Sequence, residues 1–275
     1  MADLAEGRGG DQPARAPAPE PLAVPVFDSH THLDLLDTPV EETVAAARAV
    51  GIDWVLTIGV DATTSRWAAE TAAAQPHVYG AVAIHPNDAQ QATPEVLEEL
   101  AGLARRPEVR AVGETGLDYY RDWCPPDRQR EAFRAHIQIA KDAGVALAIH
   151  DRDAHDDVLR ILDEEGPPEH VVFHCYSGDA AMAKTCADRG YLMSFAGNVT
   201  FKNAPALREA AAVAPPELIL VETDAPFLTP VPYRGRPNAP YLVPFTVRCL
   251  AEVKGMDLDA LCAAIAANGR RVFGV

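Results

Sequence analysis

The chain has 275 residues, with 24 Lys and Arg against 40 Asp and Glu, a formal net charge of −16 and a pI near 4.9. A composition of 48% hydrophobic and 23% charged residues suits a folded domain with a sizeable core, and excludes wholesale disorder and collagen-like repeats. The acidity argues against a broad basic surface that holds nucleic acid along its length, so any polyanionic substrate has to be gripped locally.

Residues 1–23 mix Ala, Pro, Gly and alternating charge and lack the apolar run of a signal peptide. They are expected to form a disordered tail ahead of a single domain at 24–275. From Val24 onward short apolar or β-branched runs alternate with helical patterns. The runs are VPVFDSH (24–30), DWVLTIGV (53–60), VYGAVAIH (78–85), VRAVGETG (109–116), ALAIH (146–150), HVVFHCYS (170–177), YLMSFAG (191–197) and LILVETDA (218–225). Between them lie helix signals. Thr38 is placed to cap and Gly51 to stop one helix, Thr93 and Pro94 open another, and PDRQREAFRAHIQIAKDAG ends at Gly144. Eight strand–helix repeats in one domain predict an α/β fold of the (β/α)8 TIM-barrel class rather than an open doubly wound sheet. No G-x-G-x-x-G follows the first strand, which also weighs against a dinucleotide fold.

The five cysteines (124, 175, 186, 249 and 262) form no C-x-x-C pair, so neither a disulfide framework nor a zinc knuckle is expected. No apolar stretch approaches the roughly 20 residues of a membrane span. The expectation is a cytoplasmic protein with reduced thiols, no membrane contact and no stable protein partner, able to work as a monomer.

In such a barrel, chemistry sits at the C-terminal ends of the strands. Those ends carry His30 and His32 on strand one, His85 on strand three, Glu114 on four, His150 on five, His174 on six and Asp224 on eight. The two-residue period puts His30 and His32 on one side. Burying these groups together without a cation would leave charge unpaired and donors unsatisfied, whereas divalent metal satisfies them. His77, His136, His155 and His170 are expected to face away from the mouth, and Cys175 to pack in the core by strand alternation. No G-x-S-x-G elbow and no strand-end Cys nucleophile points to covalent catalysis.

The motifs FDSHTHLD (27–34), AIHPND (83–88), GETGLDYY (113–120), IHDRDAHDDVL (149–159), FHCYSGD (173–179), SFAGNVTFK (194–202), VETDAPFLTP (221–230), RGRPNAP (234–240) and NGRRVF (268–273) follow in order. In them the chain resembles the TatD family of metal-dependent deoxyribonucleases, a branch of the amidohydrolase-like barrels. The resemblance implies two divalent metals (Mg, Mn or Zn): His30, His32 and Asp224 on one, His150 and His174 on the other, Glu114 bridging. It departs at position 87, where Asn stands in place of the family's common second His, although Asn87 can still donate a hydrogen bond to a phosphate. A Glu at 114 also separates this chain from the many related amidohydrolases that bridge their metals with a modified lysine.

The expected activity is hydrolysis of DNA phosphodiesters, exonucleolytic on single strands or ends. Water is activated by the metal pair, and Asp224 and Glu114 are the catalytic carboxylates. His85, Arg152, Arg234 and Arg236 are the expected substrate-binding residues, the arginines either clamping phosphate or pairing with Asp118, Asp151 or Glu222. Tyr119 and Tyr120 either stack bases or pack beneath their loop. The competing enzyme reading is a metallohydrolase acting on a C–N or ester bond of a small molecule. A non-catalytic scaffold has no reason to keep so costly a polar cluster.

Overall fold

The computed structural model describes residues 14–275. Eight parallel strands pair in sequence order: β1 (Val26–Thr31), β2 (Ile52–Ile58), β3 (Val78–Val82), β4 (Val109–Asp118), β5 (Ala146–Arg152), β6 (Val171–Phe173), β7 (Leu192–Phe195) and β8 (Ile219–Val221). Helices alternate with them: α1 (Val40–Ala49), α2 (Ala62–Ala74), α3 (Pro94–Ala104), α4 (Pro126–Ala143), α5 (His155–Glu165), α6 (Ala180–Asp188) and α7 (Pro205–Val213). Then α8 (Val243–Lys254) and α9 (Leu258–Phe273) follow β8. This is the expected TIM barrel. No described helix is long and apolar enough to cross a membrane, and the five cysteines are free.

Burial runs along both faces of the strands, as a sheet closed on itself and jacketed by helices requires. Phe27 of β1 stacks on Trp54 of β2 at 4.3 Å between ring centroids. α9 lies so close over this pair that a Cβ at Gly269 would fall 2.0 Å from the Phe27 ring. β8 is too short to close the ring by itself. The Asp224 amide donates to the His30 carbonyl and the His32 amide to the Ala225 carbonyl, both at 2.9 Å. The Asp28 carboxylate reinforces this seam by accepting from the Thr223 amide at 2.9 Å and the Thr223 hydroxyl at 2.5 Å. Burial pushes the Asp28 carboxyl up to about 8 against the hydrogen bonds from Thr223.

Thr93 accepts from the Val96 amide with Pro94 at the first turn, and Gly144 ends α4 in the left-handed region at φ +67°. α1 departs from expectation: its cap position is Pro39, with no side-chain bond, and Thr38 lies outside it. The N-terminal segment departs further. Residues 1–13 of the expected tail lie outside the described residues, but 14–23 lie against the barrel. The carbonyls of Arg15, Ala16 and Glu20 accept from Arg236 (3.2 Å), the Tyr241 hydroxyl (2.7 Å) and Arg248 (2.7 Å). Leu22 is buried and its amide donates to the Val50 carbonyl at 3.0 Å. Gly51 makes room for it: at φ +88°, a Cβ there would meet the Leu22 carbonyl at 2.8 Å.

His136 of α4 is buried; its Nδ1 donates to the Ala132 carbonyl (2.7 Å) and its Nε2 accepts the Ile84 amide (3.0 Å). Burial pushes its pKa from 6.5 down to about 4, so the folded protein keeps the ring neutral. The unfolded chain therefore binds more protons between these values, and the contribution of His136 is full above pH 6.5 and lost as the pH falls towards 4. Unfolding titrations of wild type and His136→Gln at pH 7 and pH 5 should show the gap in unfolding free energy narrowing by about 2 kcal/mol at the lower pH. An unchanged gap would mean that the ring is not held neutral.

Candidate metal centre and active site

Two lengths of β1 and β4 carry the first members of the site. His30 lies inside β1 and His32 one residue past it, and alternation turns both rings the same way, with centroids 5.1 Å apart. Glu114 projects from β4 between them and the rings of later strands. Its Oε2 lies 3.4 Å from His30 Nε2 and 3.9 Å from His32 Nε2. Its Oε1 lies 2.5 Å from His150 Nδ1, 3.0 Å from His174 Nε2 and 3.4 Å from His85 Nε2. Asp224 Oδ1 completes the ring at 3.5 Å from His32 and 3.8 Å from His30. Thus His30, His32, His85, Glu114, His150, His174 and Asp224 come together at one mouth.

Besides His32, three of these residues sit beyond their strands rather than on them. β3 ends at Val82, β6 at Phe173 and β8 at Val221, so His85, His174 and Asp224 are aimed by the loops that follow. Asp224 adopts φ +53°, a left-handed conformation that costs a non-glycine residue free energy and that Asp tolerates better than most.

Burial pushes the Glu114 carboxyl up, but His174, His85 and His150 outweigh it and hold it well below the usual range. Burial pulls the other way on His174 and is outweighed by Glu114 and Glu222, so that ring is held well above 6.5. His150, against Asp118 and Glu114, rises to about 8 despite its burial. His30 is lowered, by burial and then by the charge of His174, on which it stacks at 3.7 Å.

The donor set fits a divalent cation. Both ring nitrogens of His30 are buried without a hydrogen-bond partner, as is Glu222 Oε2. The sets His30/His32/Glu114, His30/His174/Glu222 and His85/Glu114/His150 each gather their ligand atoms within 4.8 Å. Imidazole and carboxylate at that spacing are ligands for Zn, Mn or Mg, and a cation would satisfy the orphaned lone pairs.

Asp118 and Glu222, expected from the sequence only as ion-pair partners for arginine, belong to the site as well. Asp118 Oδ2 lies 3.2 Å from His150 Nε2 and accepts from Asn87 Nδ2 at 3.2 Å. Asn87 is therefore directed to Asp118, not to open solvent. Glu222 Oε1 takes His174 Nδ1 at 3.0 Å and the Cys175 amide at 2.8 Å. The two-residue period of β1 groups Asp28 with His30, whereas Glu222 lies past the end of β8 at Val221, where alternation no longer applies. Cys175 also differs from expectation. Its backbone turns to φ +41°, its Sγ lies 3.8 Å from Asn198 Nδ2, and its thiol is pushed up by burial and then by Asp224, Glu222 and Glu114. It lies past the end of β6, where alternation no longer applies.

The arginines are arranged otherwise than in the ion-pair reading. Arg152 stacks over the Tyr120 ring at 3.8 Å and Arg234 over Phe201 at 3.9 Å, while Arg236 reaches the Arg15 carbonyl. Arg234 and Arg236 border an open depression of about 400 Å³ with Phe201, Leu228 and Thr229. Among the described residues none of the three pairs with a carboxylate. Tyr119 is turned away, its hydroxyl donating to Asp157 at 2.6 Å.

A match to the family described as TatD related DNase spans residues 27–274. The chain belongs to the TatD family. A TatD relative from Mycobacterium tuberculosis, named an uncharacterized metal-dependent hydrolase, is 45% identical over 91% of this chain and 98% of its own. A relative from Salmonella typhimurium, named a 3′-5′ ssDNA/RNA exonuclease, is 34% identical over 86% of this chain and 93% of its own. Among solved structures, the TatD homologue YjjV from Escherichia coli superposes with a TM-score of 0.86 at 26% identity, covering 91% of this chain and 98% of that one. As a TatD protein this chain is a metal-dependent hydrolase. Glu222→Gln should keep the fold and weaken divalent-metal binding about 10- to 100-fold, because the carboxylate orients His174. Metal titration by calorimetry checks this, and unchanged affinity would leave Glu222 only as the acceptor for the Cys175 amide.

Proposed function

We propose that the protein is a deoxyribonuclease that hydrolyses phosphodiester bonds in single strands or at ends of DNA with two divalent cations. The observation that carries this reading is the division of neighbours between the two Glu114 oxygens: His30 and His32 on Oε2, His150 and His174 on Oε1. In this reading His30, His32 and Asp224 would hold one cation, His150 and His174 the other, and Glu114 would serve both. Mg²⁺, Mn²⁺ or Zn²⁺ bound there would polarise the phosphoryl oxygens and lower the pKa of the attacking water.

The chain's own groups do the rest. Burial pushes the Asp224 carboxyl up, but His32, His174 and His30 outweigh it, so Asp224 is ionised at neutral pH and able to accept a proton from water. His85, on the Oε1 side of Glu114, orients the phosphate. Arg152, Arg234 and Arg236 supply guanidinium donors to the flanking phosphates. With a net charge of −16, the surface repels a long duplex, whereas a strand end needs only the local cations of the mouth. The name of the Salmonella relative supports the substrate class.

The test is a Mg²⁺- and Mn²⁺-titrated assay on 3′- and 5′-labelled single-stranded oligonucleotides. Wild type should shorten them from one end and stop in EDTA. Asp224→Ala should lose about 10²- to 10⁴-fold in rate, and Glu114→Ala should lose hydrolysis while its circular dichroism stays that of the folded protein. A metal-loaded wild type that leaves every oligonucleotide intact refutes the nuclease reading. An active, metal-loaded Glu114→Ala refutes the shared bridge.

A further inference from the structure

The large exposed apolar side chains are unevenly distributed. Leu35 follows β1, Tyr120 and Trp123 follow β4, and Phe227 and Val231 follow β8, all on the face that carries the histidine–carboxylate cluster. Among the described residues only Val213, at the end of α7, lies elsewhere. Three are aromatic, with exposures of 64% for Tyr120, 52% for Trp123 and 43% for Phe227. Leaving such rings in water forgoes the largest burial gain a side chain offers, so their concentration at one mouth calls for a ligand.

Tyr120 and Trp123 share a further feature. The Arg152 guanidinium lies over the Tyr120 ring at 3.8 Å, and the Arg121 guanidinium over the Trp123 ring at 4.2 Å. Each cation covers one side of its ring and holds it in place, and the rest of the ring stays open to solvent. Tyr120 lies two residues beyond Asp118, which bonds His150, and Arg152 lies two residues beyond His150 itself. A flat, apolar partner carrying negative charge meets all of these features: its π face covers the ring and its anion meets the guanidinium. An unpaired nucleotide has that make-up, whereas in a duplex the base faces are already stacked on one another.

We propose that Tyr120 and Trp123, each backed by its arginine, form a stacking shelf for the bases of a single-stranded nucleic acid that enters the mouth, and so select unpaired over duplex substrate. The proposal rests on the nuclease reading above and adds the residues that hold the strand beyond the scissile bond. Arg152 then has two tasks, fixing the Tyr120 ring and meeting a phosphate, which explains why no carboxylate neutralises it.

The experiment compares wild type, Tyr120→Ala, Trp123→Ala and the double variant on a single-stranded oligonucleotide and on the same strand with abasic sites behind its terminal nucleotide. Each single variant should raise KM on the intact strand by about ten-fold, with the loss in KM rather than in kcat. The abasic sites should cost wild type a similar factor and the double variant almost nothing, since shelf and base are two halves of one contact. An equal abasic penalty in wild type and double variant overturns the shelf. A readout free of catalysis is Trp fluorescence in EDTA on adding single-stranded oligonucleotide: quenching should occur in wild type and vanish in Trp123→Leu, Trp54 and Trp67 remaining in both. If wild type cleaves no oligonucleotide, the nuclease reading fails, and the quench alone decides the shelf: its absence overturns the shelf and its presence supports nucleotide binding at the mouth.

Discussion

A buried carboxylate faced by five imidazoles is the constraint on which the mouth of this barrel depends. Glu114 has almost no solvent, so its charge is tolerable only if it is met from within, and His30, His32, His85, His150 and His174 all lie within 4 Å of its oxygens. The imidazoles need in turn to be aimed, and each is held by a group of its own: Asp118 on His150, Glu222 on His174, Asp224 on His32, the Asn87 amide on His85. His30 is the exception, with both nitrogens unpartnered. A site whose innermost ring lacks any partner is one that a cation completes.

The same constraint explains where the strands stop. A strand can present only alternate residues to the barrel interior, and a seven-residue polar cluster needs more freedom than eight regular strand ends provide. β3, β6 and β8 therefore end early, and the chain turns through conformations such as φ +53° at Asp224 to bring the side chain back. The seam between β8 and β1 is consequently held by site residues: the backbone of His30, His32 and Asp224, and the Asp28–Thr223 contact behind them. Barrel closure and ligand placement are one set of hydrogen bonds.

This accounts for what was legible in the sequence. The eight strands and the cluster from His30 to Asp224 follow from the periodic pattern and from polar residues at its ends, since those are local and repeated. Asp28 is within reach of the same two-residue rule inside β1, while Glu222 lies past Val221, where β8 has ended. Cys175 escapes the alternation rule because the strand has already ended at Phe173. Asn87 turns to Asp118, and Tyr119 to Asp157, through pairings across 31 and 38 residues that no local pattern encodes. Residues 14–23, whose composition is that of a tail, are held by their backbone carbonyls, which any sequence presents, and by the buried Leu22 side chain.

The arginines of the mouth are held differently from those between α4 and α5. Between α4 and α5 arginines meet carboxylates: Arg130 meets Asp157 as well as Asp127, Arg134 meets Glu164 and Glu165, and Arg160 meets Asp157 and Glu164 within α5. At the mouth, Arg121, Arg152 and Arg234 lie on aromatic rings instead. In a chain with 40 acids for 24 basic residues, an unpaired arginine is the arrangement that charge balance alone would disfavour. A ring holds a guanidinium in place without cancelling its charge, so the positive potential stays available to a phosphate. An acidic protein thereby keeps a cationic rim around a carboxylate-rich centre, and the sign of its net charge says little about what its mouth attracts.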